Sequence, residues 1–289
     1  MSALLTAPYE TRRILDKYGI HAKKKYGQNF LIDAGIVEGI IRSAAITKQD
    51  CVLEIGPGIG TMTQVLSLEA GHVVAVEIDE GLRPVLAETL DACTNVTVLF
   101  QDILKTDIAA ISRNYNQGRK LKCVANLPYY ITTPILLQLL RENSCFDSIT
   151  VMVQKEVAQR ILATCRDAEY GALSLAVQYY ARPEVAMAVP PSSFIPRPGV
   201  DSAVLNLNAF EAPPVEADAD YLFAIVRAAF NQRRKTLANA LSHGLSYQGY
   251  SPDRDAVVRA LREMDLPADI RGERLSLEDF ARLTHILHA

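Results

Sequence analysis

The feature that most constrains this chain is the alternation of short apolar runs with longer stretches of helical spacing. The runs cover residues 51–56, 72–78, 96–100, 122–126 and 148–154. Each reads as a buried strand, because helices cover both faces of a parallel sheet. Between them, residues 61–70, 82–92 and 134–141 carry helix-like spacing. Strands and helices alternating in this way build βαβ units, so the fold class is α/β with a parallel sheet. Thr133 before Pro134 predicts a helix start, with a capping hydroxyl and then proline in the first turn.

The pattern continues with helices over 156–165 and 173–181, the latter setting Leu173, Ala176, Val177 and Tyr180 on one face. Two more strands follow over 184–189 and 203–207. Between them lie Pro190, Pro191, Pro196 and Pro198, a stiff extended loop. Residues 211–220 are acidic, with Glu211, Glu216, Asp218 and Asp220, and mark a boundary. The expected domains are therefore 1–210, which is α/β, and 211–289, which is small and all-helical, with helices over 221–230, 235–244, 254–264 and 276–287. A chain of 289 residues, 49% hydrophobic, can bury one large core and one small one.

Composition narrows the setting. No run approaches the roughly 18 apolar residues of a membrane span, and residues 1–13 lack the features of a signal peptide. Cys51, Cys93, Cys123, Cys145 and Cys165 form no CxxC pair, so no disulfide or zinc site is expected and the setting reads as cytoplasmic. The five histidines show no ligand spacing, and no metal is expected. A formal net charge of −3 argues mildly against a nucleic-acid partner. The distribution argues the other way: Lys23, Lys24 and Lys25 form one basic cluster, and Arg227, Arg233, Arg234 and Lys235 another.

Three strand ends carry candidate ligand groups. The first runs into Gly56-Pro57-Gly58-Ile59-Gly60, a turn whose glycines let backbone approach a ligand closely. Its GxGxG spacing and its proline differ from a dinucleotide fingerprint. The second ends at Glu77, about 20 residues on, where a carboxylate can accept from both ribose hydroxyls. The third ends at Asp102, which can accept from an adenine amine or cap a helix. Ligands bind outside the carboxyl ends of such strands. Methyltransferases that use S-adenosylmethionine resemble this arrangement.

The fourth strand ends in Asn126-Leu127-Pro128-Tyr129, similar to the motif of enzymes that methylate exocyclic amines. An adenine amine is a poor nucleophile because its lone pair is delocalised into the ring. The Asn126 side-chain oxygen and a nearby main-chain carbonyl can accept its two hydrogens, freeing the lone pair and stabilising the charge that develops. Pro128 stiffens the turn. Tyr129 offers a face on which the base can stack. The amine must leave any base stack to reach such a pocket.

Further segments extend the likeness: Tyr26-Gly27-Gln28-Asn29-Phe30-Leu31, Val153 to Ala158, Phe194 to Val204, and Phe230 to Leu237. Over nearly its full length the chain resembles the small-subunit ribosomal RNA adenine dimethyltransferases. The resemblance implies a Rossmann-like methyltransferase domain with a small helical RNA-binding domain. It implies S-adenosylmethionine-dependent dimethylation of two neighbouring adenosines in a hairpin loop near the 3′ end of small-subunit RNA, and a role in small-subunit biogenesis. The partners implied are the small subunit and its RNA, with no membrane, and the protein is expected to be a monomer. By the same resemblance Asn29, Leu31, Gly56, Glu77, Asp102 and Asn126 contact the cofactor, with Gly58 in the same turn. Phe194 is either a second aromatic at the base pocket or core packing under the proline loop. Arg233, Arg234 and Lys235 would meet phosphates or form a solvated helix face. The alternatives are a large-subunit RNA adenine methyltransferase of the antibiotic-resistance type, and a non-enzymatic assembly or transcription factor that keeps the fold.

Overall fold

The computed structural model describes residues 5–20 and 29–288. The chain divides into two compact units, Met1–Ala158 with Arg182–Ala209, and Gln159–Ala181 with Phe210–Ala289. The division after residue 209 lies beside the boundary read from the acidic stretch. Residues 159–181, expected in the first domain, cluster with the second instead.

In the first unit the order is α1 (Pro8–Lys17), β1 (Phe30–Leu31), α2 (Ala34–Ser43), β2 (Cys51–Ile55), α3 (Thr61–Glu69), β3 (His72–Glu77), α4 (Arg83–Thr89), β4 (Val96–Phe100), α5 (Ile108–Asn116), β5 (Leu121–Asn126), α6 (Thr132–Arg141) and β6 (Phe146–Gln154). Then α7 (Lys155–Leu162) and α8 (Ala172–Tyr180) precede β7 (Ala181–Val189), β8 (Phe194–Ile195) and β9 (Ser202–Ala209). The main sheet has seven strands in the order β4-β3-β2-β5-β6-β9-β7. Strands β4, β3, β2, β5 and β6 run parallel, and β9 pairs antiparallel with β6. The direction of winding reverses between β2 and β5, the switch point at which open α/β sheets bind ligands.

The central strands are apolar because both faces are covered: all five residues of β2 are buried. The expectation of full burial fails for β4, which is half-buried throughout because it lies at the sheet edge. Helix α6 starts one residue before Thr133. Its N-cap is Ile131, no side chain caps it, and the Thr132 hydroxyl donates to the Pro128 carbonyl at 2.9 Å. Elements absent from the sequence reading are α1, α2, α5 and the two-residue strands β1 and β8. The last two pair as Phe30 with Ile195 and Leu31 with Phe194. Asp33 caps α2 by accepting from Ile36 N–H at 3.2 Å, and its other oxygen accepts from the Ser193 hydroxyl at 2.9 Å.

Glu54 sits mid-strand in β2, with Ala75 of β3 and Val124 of β5 beside it in the register. It is fully buried, and neither carboxylate oxygen meets a hydrogen-bond partner. Burial therefore drives its pKa up to about 8, and the Glu77 carboxylate adds to the rise.

The second unit packs α9 (Ala219–Asn231), α10 (Leu237–Gly244), α11 (Arg254–Glu263) and α12 (Leu277–His288) around Tyr221, Leu222, Ile225, Leu241, Leu261 and Phe280. Asp218, Thr236 and Asp253 cap the first three of these helices. Residues 159–181 join this core because Tyr170, Leu175 and Tyr179 are buried in it, each contributing roughly 1.5–3 kcal/mol. On α8 Ala176 and Val177 are buried as expected, together with Leu175 and Tyr179, while Leu173 and Tyr180 are only half-buried. The Tyr170 hydroxyl also donates to the Leu275 carbonyl at 2.9 Å. Among the described residues no helix is long and apolar enough to cross a membrane.

Candidate active site

A single pocket collects the carboxyl ends of β2, β3, β4 and β5 through Ile55, Gly56, Glu77, Asp102 and Asn126. The glycine turn after β2 is held at its edge by Gly56 N–H, which donates to Val76 O at 2.9 Å. Gly56 has φ +69, and a Cβ built there meets nothing within 4 Å. The turn thus presents bare backbone to open space in the pocket, a cradle for a ligand that approaches closely. Gly58 has φ +59, and a Cβ there would lie 3.4 Å from the Phe30 ring, which also lines the pocket.

Glu77 closes the end of β3. Its Oε2 accepts from Gly58 N–H at 3.2 Å and its Oε1 from Asp79 N–H at 2.9 Å. Each oxygen keeps further lone-pair capacity, as an acceptor of ligand hydroxyls requires. Burial raises its pKa above the ordinary 4.5, and these backbone donors partly restore the charged form. Asp102 stands at the end of β4. It lines the pocket, and its Oδ1 caps the turn over Ile103–Lys105 by accepting from Leu104 N–H at 2.9 Å. Ile78 and Ile103, which the sequence did not single out, also line the pocket and add apolar surface to it. The available signal was that an isoleucine directly follows each strand-end acid, as Glu77-Ile78 and Asp102-Ile103.

Asn126 faces the pocket from the end of β5. Its Nδ2 donates to the Asn29 main-chain carbonyl at 3.3 Å. A carbonyl only accepts, so this contact orients the amide and leaves Oδ1 as the outward acceptor. Leu127 is buried and pairs through its N–H to Met152 O at 3.1 Å. The Pro128 carbonyl already accepts from Ile131 N–H at 3.2 Å and from Thr132. Tyr129 is half-buried with its hydroxyl 2.7 Å from that of Ser202. Burial raises its pKa and the Ser202 contact lowers it.

A search by sequence family matches residues 19–258 to ribosomal RNA adenine dimethylase. The chain belongs to this dimethylase family. Relatives of the dimethylase include the ribosomal RNA small subunit methyltransferase A of Lachnoclostridium phytofermentans, 51% identical over 99% of this chain and 98% of that one. The protein of the same name from Oceanobacillus iheyensis is 45% identical over 98% of this chain and 96% of that one. Among solved structures, a dimethyladenosine transferase from Plasmodium falciparum is 28% identical with a TM-score of 0.72, covering 88% of this chain and 95% of that one. The 23S rRNA methyltransferase ErmE is 26% identical with a TM-score of 0.64, covering 90% of this chain and all of that one.

Against this family background the expected site residues fall into four groups. Asn29, Gly56, Gly58, Glu77, Asp102, Asn126, Leu127, Pro128 and Tyr129 line one pocket. Leu31 and Phe194 do not: paired across β1 and β8, both are buried in the core beside Met152 and Val204. Phe194 is 1% exposed and packs in that core. Lys23, Lys24 and Lys25 lie outside the described residues. Arg233, Arg234 and Lys235 occupy the turn between α9 and α10, not a helix face. Arg233 is committed there, donating to the Ala168 carbonyl at 2.6 Å and pairing with Glu273 at 2.8 Å. Arg234 and Lys235 are exposed. Among the described residues no group of three or more His, Cys, Asp or Glu side chains could hold a metal.

Proposed function

We propose that this dimethylase uses S-adenosylmethionine to methylate the exocyclic amines of two adjacent adenosines near the 3′ end of small-subunit ribosomal RNA, as part of subunit biogenesis. When bound, the cofactor supplies an activated methyl on a sulfonium. The donor set of the pocket fits it. The open backbone at Gly56 leaves room for its methionine portion, Glu77 accepts from its ribose, Ile78 and Ile103 flank its adenine, and Asp102 accepts from that adenine's amine. The fixed acceptor Oδ1 of Asn126 is the observation that carries the reading. It takes one hydrogen of the target amine, and the Leu127 carbonyl takes the other, since that of Pro128 is engaged. Both acceptors are oriented before the base arrives, so positive charge developing on nitrogen meets preorganised dipoles. Tyr129, anchored through Ser202, holds the base face.

The small-subunit substrate is supported by relatives of that name at 45–51% identity over nearly the full chain, against 26% for the 23S enzyme. The test is to incubate the protein with unmethylated immature small subunits and labelled cofactor, then map methylated nucleotides by mass spectrometry. Asn126→Ala is expected to lose about 10²–10³-fold in turnover while still binding subunits. Near-normal turnover in that variant refutes the amine-holding role.

A further inference from the structure

We infer that Tyr130 is a second substrate contact, an outer stacking platform for the nucleotide next to the adenosine held in the pocket. This rests on the proposed function and adds to it the residue that recognises a pair of unstacked bases. Three aromatic side chains line the pocket: Phe30, Tyr129 and Tyr130. Phe30 is buried, and Tyr129 is half-buried with its hydroxyl held by Ser202. Tyr130 differs from both, with 53% of its surface exposed at the pocket's rim. A lone exposed aromatic is ordinary on a protein surface. Here it lines the pocket one residue beyond the amine-binding motif.

The backbone beneath it is pre-set. The Pro128 carbonyl accepts from both Ile131 N–H and the Thr132 hydroxyl, clamping the turn across Tyr130, and α6 starts two residues later. A platform fixed in this way loses little freedom when a base lands on it. The chemistry supplies the need. An adenosine drawn into the pocket abandons its stacking neighbour, and the face so exposed regains contact on an aromatic ring at the mouth. The chemical class recognised is therefore an unpaired, base-bearing nucleotide adjoining the target.

The test uses the full chain with immature small subunits. Tyr130→Ala is expected to lower kcat/KM by about 5- to 150-fold, the span of one base–aromatic stack. Tyr130→Phe keeps the ring and stays near wild type, and cofactor affinity by calorimetry is unchanged in both. In subunits reconstituted with RNA lacking the base beside the target adenosine, the wild type falls to the level of Tyr130→Ala, and the variant loses nothing further. Full activity of Tyr130→Ala, an equal loss in Tyr130→Phe, weakened cofactor binding, or additive losses with the abasic RNA would each overturn the inference. If the wild type itself methylates no small subunits, the proposed function fails instead, a result separable from all of these.

Discussion

Replacing Glu54 with glutamine should stabilise the protein more the higher the pH, up to a limit. The Glu54 carboxyl lies between Ala75 and Val124 in the middle of the sheet, without a hydrogen-bond partner. Its folded pKa is about 8 against an ordinary 4.5. Between these values the unfolded chain has released the proton and the folded chain has kept it, so the unfolded state binds fewer protons. Stability then falls as pH rises, by about 1.4 kcal/mol per pH unit for one group. From pH 5 to pH 7 that amounts to about 3 kcal/mol, and above the folded pKa the dependence stops. Glutamine is nearly isosteric and does not titrate. The assay is urea unfolding of the cofactor-free wild type and Glu54→Gln at pH 5, 6, 7 and 8. The difference between the two should widen by about 3 kcal/mol between pH 5 and 7 and level off past pH 8. A constant difference across that range would mean that the carboxyl is solvated or paired, and the reasoning would be wrong.

Glu77→Ala should weaken S-adenosylmethionine binding by about 150-fold or more in calorimetry, the worth of two hydrogen bonds to a charged acceptor. In the wild type, affinity is present with Glu77 ionised and declines as pH falls through its raised pKa, so the decline starts at a higher pH than for an exposed carboxylate. Glu77→Gln should flatten that profile. Asp33→Ala removes both the cap on α2 and the acceptor for Ser193, and should cost about 1–2 kcal/mol in chemical denaturation. An unchanged midpoint would show that neither contact matters.

The parallel strands were legible because double-sided burial writes itself into the chain: the run at 96–100 matches β4, and those at 51–56 and 72–78 overrun β2 and β3 by one residue each. The acids at 77 and 102 and the motif at 126–129 were legible because a strand end is a short, marked place. Strands β1 and β8 were not, since two residues show no period and their pairing spans more than 160 positions. For the same reason Phe194 read equally well as a platform or as core, and its pairing with Leu31 lay out of sight. The membership of 159–181 was hidden too, because helical spacing shows that a face is buried and not against what. Tyr170 and Tyr179 settle it by packing among residues of α9 and α12.

The excursion of the chain out of the first unit and back has a consequence for how the protein is made. Strand β6 emerges from the ribosome well before its antiparallel neighbour β9, and residues 159–181 come between. At ordinary translation rates the stretch from Gln154 to Ser202 takes roughly 2–10 s. For that interval the nascent sheet ends on an apolar β6 whose outer hydrogen bonds have no mate, the kind of edge that recruits other strands. The seconds before Ser202 appears are thus when a chaperone has most to protect, and Tyr129 gains its anchor only at the close of that window.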